Sequence, residues 1–307
     1  MLSPAGLKQR SDFLQSLRLF FREREYLEVD TPIRLPVLLP ESEIVPYASE
    51  NCWLQTSPEL CMKRLLARGA TRLFQICHCF RKEEQGRLHA PEFTMLEWYH
   101  VGWNYLDLMQ ECEELIVALA AACSAFTGIA ANGKNILRNK KKVLLTPPWD
   151  RLSVDEAFAA YTDTTAGKAL AEGRFDEFLV TEIEPHLGWD RPLFLYDYPV
   201  RLGSLARPKP GAPHLAERFE LYCCGIELAN GFSELVDAEE QRLRFSRELA
   251  SVQGHVQREK MPESFLQDLA RLGDTAGIAC GVDRLLMLFS GASCLDDVLV
   301  FSRDELY

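Results

Sequence analysis

The sequence lacks any excess of basic charge. Its 307 residues hold 34 Lys and Arg against 45 Asp and Glu, a formal charge of −11 with histidine neutral. Nonspecific nucleic-acid binding needs cations that displace counterions from phosphates, so that class is disfavoured. Cysteine pairs at metal or redox spacing are also missing. The ten cysteines, at 52, 61, 77, 79, 112, 123, 223, 224, 280 and 294, include no CxxC. A zinc ribbon and a thioredoxin-like site are therefore not indicated. The thiols read as buried and reduced, as in a cytoplasmic protein. The longest apolar run, Leu115 to Cys123, is too short to span a bilayer. The first residues, MLSPAGLKQR, hold no apolar signal segment, so neither export nor membrane attachment is expected. No GxxxxGK followed by Ser or Thr occurs, and no GxGxxG, so the familiar phosphate cradles are absent.

What is present is an ordinary globular composition, 47% hydrophobic and 26% charged. The length allows about two domains or one large one. Residues 7–22 place Leu7, Leu14, Leu17 and Phe21 on one helical face. The strand-like YLEV at 26–29 follows, closed by Thr31-Pro32. A helix is predicted over 57–68, with Ser57 as cap, Pro58 at the first position and Gly69 closing it. Residues 73–83 and 92–100 read as strands around the polar loop EQGRLHAP, and 103–119 as a helix. Residues 124–150, with NGKN, RNKKK and Pro147-Pro148, read as a loop or inserted segment. Helical patterns fill 153–186, and LFLYDY at 193–198 is strand-like. A hairpin at 220–235 and a strand-helix unit at 277–291 complete the chain.

Several charges fall where burial is expected. Period-two alternation puts Phe93, Met95, Glu97 and Tyr99 on one face of a strand that is apolar on both. A buried carboxylate costs several kcal/mol unless paired. Leu228, Asn230, Phe232 and Glu234 repeat the pattern. Two such strands facing one pocket would bind an ammonium, with Glu234 supplying charge and Tyr99 a hydroxyl and a ring. A structural ion pair would serve these carboxylates equally well. In the hairpin, a turn at Cys223-Cys224 or Cys224-Gly225 puts Glu220 and Glu227 on one face, opposed or diagonal. Such like charges call for a cation, for which Mg²⁺ suits oxygen ligands, or for one carboxylate bent to solvent. Arg81 and Glu83 share a face at the end of the 73–83 strand, and Arg284 interrupts the apolar VDRLLMLF. A buried arginine needs an anion, either phosphate or a core carboxylate. Together these features suggest activation of a basic amino acid by a nucleoside triphosphate.

The same residues resemble a known family. FRKEEQGRLHAPEFTMLEWY at 80–99 is similar to motif 2 of class II aminoacyl-tRNA synthetases, and GIACGVDRLLML at 277–288 to motif 3. The segment ending at Thr31-Pro32 resembles motif 1, the dimerisation motif. ELANGFSEL at 227–235 and TSPELCMKRLL at 56–66 narrow the likeness to the lysyl branch. The likeness is strongest to its short paralogues, the elongation factor P (R)-β-lysine ligase family (EpmA, GenX or PoxA). The chain begins almost at motif 1, which leaves no room for an anticodon-reading N-terminal domain. MLEWY ends motif 2 as in the paralogues, and Ala279 stands where lysyl-tRNA synthetases usually carry glycine.

The resemblance implies one α+β catalytic domain over 1–307, an antiparallel mixed sheet flanked by helices. Motif 1 would cover about 15–32, motif 2 about 73–100 and motif 3 about 277–290, with an inserted loop at about 124–150. It implies ATP and Mg²⁺, (R)-β-lysine or lysine as small substrate, and elongation factor P as acceptor. It further implies a homodimer and no stable tRNA binding. Arg81 and Arg284 would be catalytic. ATP would meet Arg81, Lys82, Glu83, His89, Ala90, Phe93, Glu227, Leu228, Gly281 and Arg284. Phe93 would stack on adenine, with Arg284 on its other face. Glu220 and Glu227 would hold Mg²⁺. Ser57, Pro58, Glu59, Glu97, Tyr99, Asn230, Phe232, Glu234 and Ala279 would line the amino-acid pocket. Two positions depart from the family pattern. Ala90 replaces an asparagine usual near adenine, and Ser233 a histidine frequent in the paralogues. A synthetase without an anticodon domain, acting on tRNA or a small acceptor, is the alternative enzyme. A non-catalytic synthetase-like subunit is the alternative outside enzymes, and the kept Arg81, Glu83, Glu220, Glu227 and Arg284 weigh against it.

Overall fold

The computed structural model describes residues 1–251 and 260–306. Helix α1, Pro4–Glu23, starts where Ser3 accepts a hydrogen bond from the Gly6 N–H at 3.2 Å, with proline at the first position. Its buried stripe is Phe13, Leu17, Phe20 and Phe21. Leu7 stands off that stripe and is 42% exposed. Six residues ahead of Phe13, it lies about 120° round the helix. Helix α2, Glu59–Leu66, starts one residue later than the expected cap geometry. Pro58 is the N-cap, while Ser57 Oγ accepts from the Glu59 N–H at 3.0 Å. Gly69, at φ +107°, turns the chain away, a conformation that suits glycine.

The core is one mixed, largely antiparallel sheet, nine-stranded among the described residues. Its strands include β1 (Leu27–Glu28), β2 (Arg72–Phe80), β3 (Glu92–Val101), β6 (Asp150–Ser153), β7 (Leu193–Pro199), β8 (Ala212–Cys223), β9 (Ile226–Ser233) and β10 (Thr275–Gly281). The order is β1-β2-β3-β10-β9-β8-β7-β6, with the short Pro208–Lys209 strand beside β8. Only the outermost pairs, β1 with β2 and β7 with β6, are parallel. This is the expected α+β arrangement of an antiparallel mixed sheet flanked by helices. One face packs on α1 and on helix α3, Tyr105–Ala122, which opens with a capping box of Asn104 and Asp107. On that face Trp98 Nε1 and the Tyr26 hydroxyl both donate to Glu111 Oε2, each at 2.8 Å. The other face of β3, β9 and β10 is left open as a cleft floor.

Two expectations change. The strand read as 73–83 ends at Phe80, so Arg81 and Glu83 lie in the loop beyond it. Residues 124–150 are not merely a loop. They hold a hairpin, β4 (Asn135–Arg138) and β5 (Lys141–Leu144), whose cross-strand pair Ile136 and Val143 is fully buried in the main core. Its turn residues Asn139 and Lys140 both have positive φ, 50° and 64°. That is a mirror-image turn, usually signalled by Asn-Gly, and the missing glycine hid it. The helical stretch 154–187 keeps a small core of its own against β7, with Phe158, Phe175 and Ile183 at its centre. No helix among the described residues is long and apolar enough to cross a membrane.

Candidate active site

The cleft has a volume of about 610 Å³ and runs across β3, β10, β9 and β8. Register sets its centre: Ala279 of β10 pairs with Glu97 of β3 on one side and Asn230 of β9 on the other. Three side chains from three strands therefore meet in one row. Phe93, Met95, Glu97 and Tyr99 all face the cleft, as alternation required.

At one end the cleft is acidic and deep. Glu97 is 1% exposed. It accepts from Ser57 Oγ at 2.5 Å and from the Tyr99 hydroxyl at 3.0 Å. Burial, then the neighbouring Glu59, pushes its pKa up to about 8, against the pull of those hydroxyls. Glu59, Asn230, Phe232 and Ala279 line the same end. Pro58 does not line it and serves as the α2 cap. Glu234 is also absent from the wall; it lies just behind Gly277, in ion-pair contact with Lys63. Lys63, 1% exposed in its side chain, bridges Glu234 and Glu59. Burial alone would push the Lys63 pKa down, but the two carboxylates outweigh it and hold the ammonium above the ordinary lysine range. Among the described residues Glu234 Oε1 has no hydrogen-bond partner. Three buried carboxylates thus lie around one lysine that pairs with two of them, Glu59 and Glu234, and this end can accept further positive charge. Lys63 was not singled out in the sequence, because only the tertiary fold brings α2 to Glu234, the residue just past β9.

Gly277 forms the floor here. A Cβ on it would sit 2.2 Å from Tyr99 Cε1 and 2.5 Å from Glu234 Oε1. Gly277→Ala must therefore displace the Tyr99 ring and loosen Glu97. On the expectation from the sequence that this cleft activates an amino acid, the KM for it should rise about tenfold or more, on the scale of a misplaced binding group. Titration of pyrophosphate exchange against amino acid and ATP separately would check this. An equal rise in both KM values would contradict it.

The other end carries arginines. Arg284 stands on helix α4, Val282–Ser290. That helix is fixed by Asp283, which accepts from the Thr94 N–H at 2.6 Å and from Arg10 at 2.7 Å. Arg284 donates to the Leu88 carbonyl at 3.1 Å and to Glu227 Oε2 at 3.1 Å, and its Nη2 meets His89 Nε2 at 2.6 Å. Burial, then the Arg284 charge, lowers the His89 pKa, so the ring stays neutral and accepts that bond. Arg81 pairs with Glu84 at 3.1 Å and lies 5.2 Å from the Phe93 ring centroid. Ala90, Leu228 and Gly281 line this end as well. Lys82 and Glu83 are exposed and stand outside the lining. The strand stops at Phe80, so alternation cannot be carried into the loop, and Glu84 is the carboxylate that meets Arg81.

Glu220 and Glu227 both line the cleft. The turn is Cys224-Gly225, with φ of +58° and +71°. A bulge beyond it pairs Tyr222 with Glu227 and Glu220 with Asn230. Each carboxylate has its own cation, so their proximity does not by itself require a metal. Arg218 meets Glu220 at 2.6 Å, and Arg284 meets Glu227. Tyr198 and Tyr222 also donate to Glu220, at 2.6 and 2.7 Å. Among the described residues no group of three His, Cys, Asp or Glu is arranged to hold a metal. Two carboxylates do suit Mg²⁺ when substrate phosphates complete its shell.

Comparison with known proteins gives a consistent picture. The model of the family described as tRNA synthetases class II (D, K and N) matches residues 3–305. The chain is 37% identical to a Pectobacterium carotovorum protein named elongation factor P--(R)-beta-lysine ligase, over 99% of this chain and 96% of the relative. Proteins of the same name from Edwardsiella ictaluri and Proteus mirabilis are each 36% identical. Those alignments cover 98% and 97% of this chain, and 96% and 95% of the relatives.

Proposed function

The chain belongs to the class II tRNA synthetase family, and from that premise we propose that it is an ATP-dependent (R)-β-lysine ligase acting on elongation factor P. The carboxylate of (R)-β-lysine attacks the α-phosphorus of ATP, the bond to the β-phosphate bridge breaks, and pyrophosphate leaves. A neutral lysine amine of elongation factor P then attacks the acyl carbon, AMP departs, and the amine gives up a proton. One observation carries this reading: a single cleft holds the buried Glu97 with its two hydroxyls at one end and Arg284 at the other. The carboxylate end suits the ammonium groups of a diamino acid. Arg81 and Arg284 would leave Glu84 and Glu227 for phosphate oxygens, spreading charge as pyrophosphate departs. Phe93 would give a ring face for adenine once Arg81 moves off it. Glu220 and Glu227 would hold Mg²⁺, which when bound neutralises the phosphates. A homodimer through α1 and β1 belongs to the same reading, since Leu19 and Leu27 are 56% and 62% exposed there.

The test is pyrophosphate exchange with lysine and (R)-β-lysine, followed by intact-mass measurement of elongation factor P and gel analysis of bulk tRNA. The expected result is exchange with at least one of them and a mass increase on the factor alone. No exchange with either would remove the enzyme reading. Charging of tRNA with an unmodified factor would replace the acceptor.

A further inference from the structure

The basic run Arg138–Lys142 takes no part in the chemistry above, yet it is built into the fold. Ile136 and Val143 anchor the β4–β5 hairpin in the main core, and its tight turn projects Lys140 outward. Lys134, Lys140, Lys141 and Lys142 are exposed, and Arg138 is half-buried. None of the five makes an ion pair among the described residues. Arg138 donates to the Ala292 carbonyl at 3.0 Å, and Lys141 Nζ lies 4.8 Å from the Trp189 ring centroid. Five of the chain's 34 cations stand in these nine residues, so the rest of the molecule carries −16.

The hairpin adjoins the cleft rim. Three residues beyond Ala292, Leu295 lines the cleft, and its N–H donates to the Arg87 carbonyl at 2.9 Å. Arg87 is itself exposed in the loop between β2 and β3. A macromolecular acceptor that delivers an amine into this cleft over the Leu295 side would lie across this rim.

We propose that the β4–β5 hairpin is a docking surface for an acidic face of the protein acceptor. This rests on the acceptor of the reaction being a protein. The charges sit on a rigid hairpin, so docking orders little chain. A long polyanion such as RNA would meet the negative field of the remaining surface. At the patch itself Lys141 lies over Trp189, so that ring is already covered for base stacking. A compact acidic protein face meets only the patch. Charges at an interface rim act mainly on encounter rate and salt dependence.

The experiment compares the full chain with its K140E/K141E/K142E variant, which changes no residue of the cleft. Pyrophosphate exchange should be equal in the two. The KM for elongation factor P should rise about tenfold in the variant at low salt, with kcat held within about twofold, and its salt dependence should flatten. An unchanged KM for the factor overturns the proposal. So does a parallel loss of exchange, which would make the hairpin a support of the cleft. Loss of RNA binding with unaltered factor kinetics overturns it in favour of a nucleic acid. If the wild-type chain modifies no elongation factor P, the functional reading falls and takes this one with it. If wild type and variant modify it equally, only the docking surface falls.

Discussion

Lys63→Met should cost about 3–5 kcal/mol of folding stability, the range measured when one partner of a buried ion pair is removed. Methionine keeps the length and flexibility of the side chain, so the loss is of charge rather than volume. Lys63 is held between Glu59 and Glu234, and its ammonium lies 5.3 Å from the Phe232 ring centroid. Without it, Glu234 is a buried carboxylate with no cation, facing Glu59 and Glu97. Folded domains have only about 5–15 kcal/mol in hand, so the variant would be near the limit of folding. Equilibrium urea unfolding at neutral pH measures the effect. A loss below about 1 kcal/mol would mean that the pair contributes nothing. The variant K63M/E234Q should recover part of the loss, because it also removes the orphaned charge. Failure to recover any would move the cause from electrostatics to packing.

What the sequence revealed divides along the same line as this pair. Local periodicity found β3 and its cleft face, because alternation is a property of one strand and its two buried faces differ. It found the β8–β9 turn among two options, because Gly225 tolerates positive φ. It did not find the bulge that sets Glu220 opposite Asn230, since an extra residue leaves no compositional mark. Nor did it find the partners of the site carboxylates. Lys63 reaches Glu234 from α2 and Arg284 reaches Glu227 from α4, whereas Arg218 stands two residues before Glu220 on β8 itself. Anomalous charge was legible in one segment; its neutralisation at Glu234 and Glu227 required the whole fold, and only at Glu220 did the partner lie on the same strand. At the Glu220–Glu227 pair the like charges already have two arginines beside them, Arg218 on the same strand and Arg284 on α4. The shift from Glu83 to Glu84 has a simpler origin. Period two ends with the strand, and the sequence around Phe80 carries no glycine or proline to mark that end.

Arg284→Ala should lower kcat for pyrophosphate exchange about 10²–10³-fold, the loss usual when a preorganised donor to developing negative charge is removed. Its guanidinium spans the Leu88 carbonyl, His89 and Glu227, so it is already aimed before substrate arrives. It would exchange Glu227 for phosphate oxygens when ATP binds, and from then on the Leu88 carbonyl and His89 hold it, so little reorientation is needed as charge develops. The amino-acid KM should move much less, since Glu97, Ser57 and Tyr99 hold that end through separate elements. Arg284→Lys should recover little, because an ammonium cannot span three partners as a planar fork does. A structural role would instead appear as a lowered unfolding midpoint, with kcat and KM disturbed together. Arg284 is only half-buried, and Asp283 secures the start of α4 without it. The variant should therefore unfold at the wild-type urea concentration. Exchange within tenfold of wild type in a folded Arg284→Ala protein would remove this residue from the charge-stabilising set and leave Arg81 as its candidate.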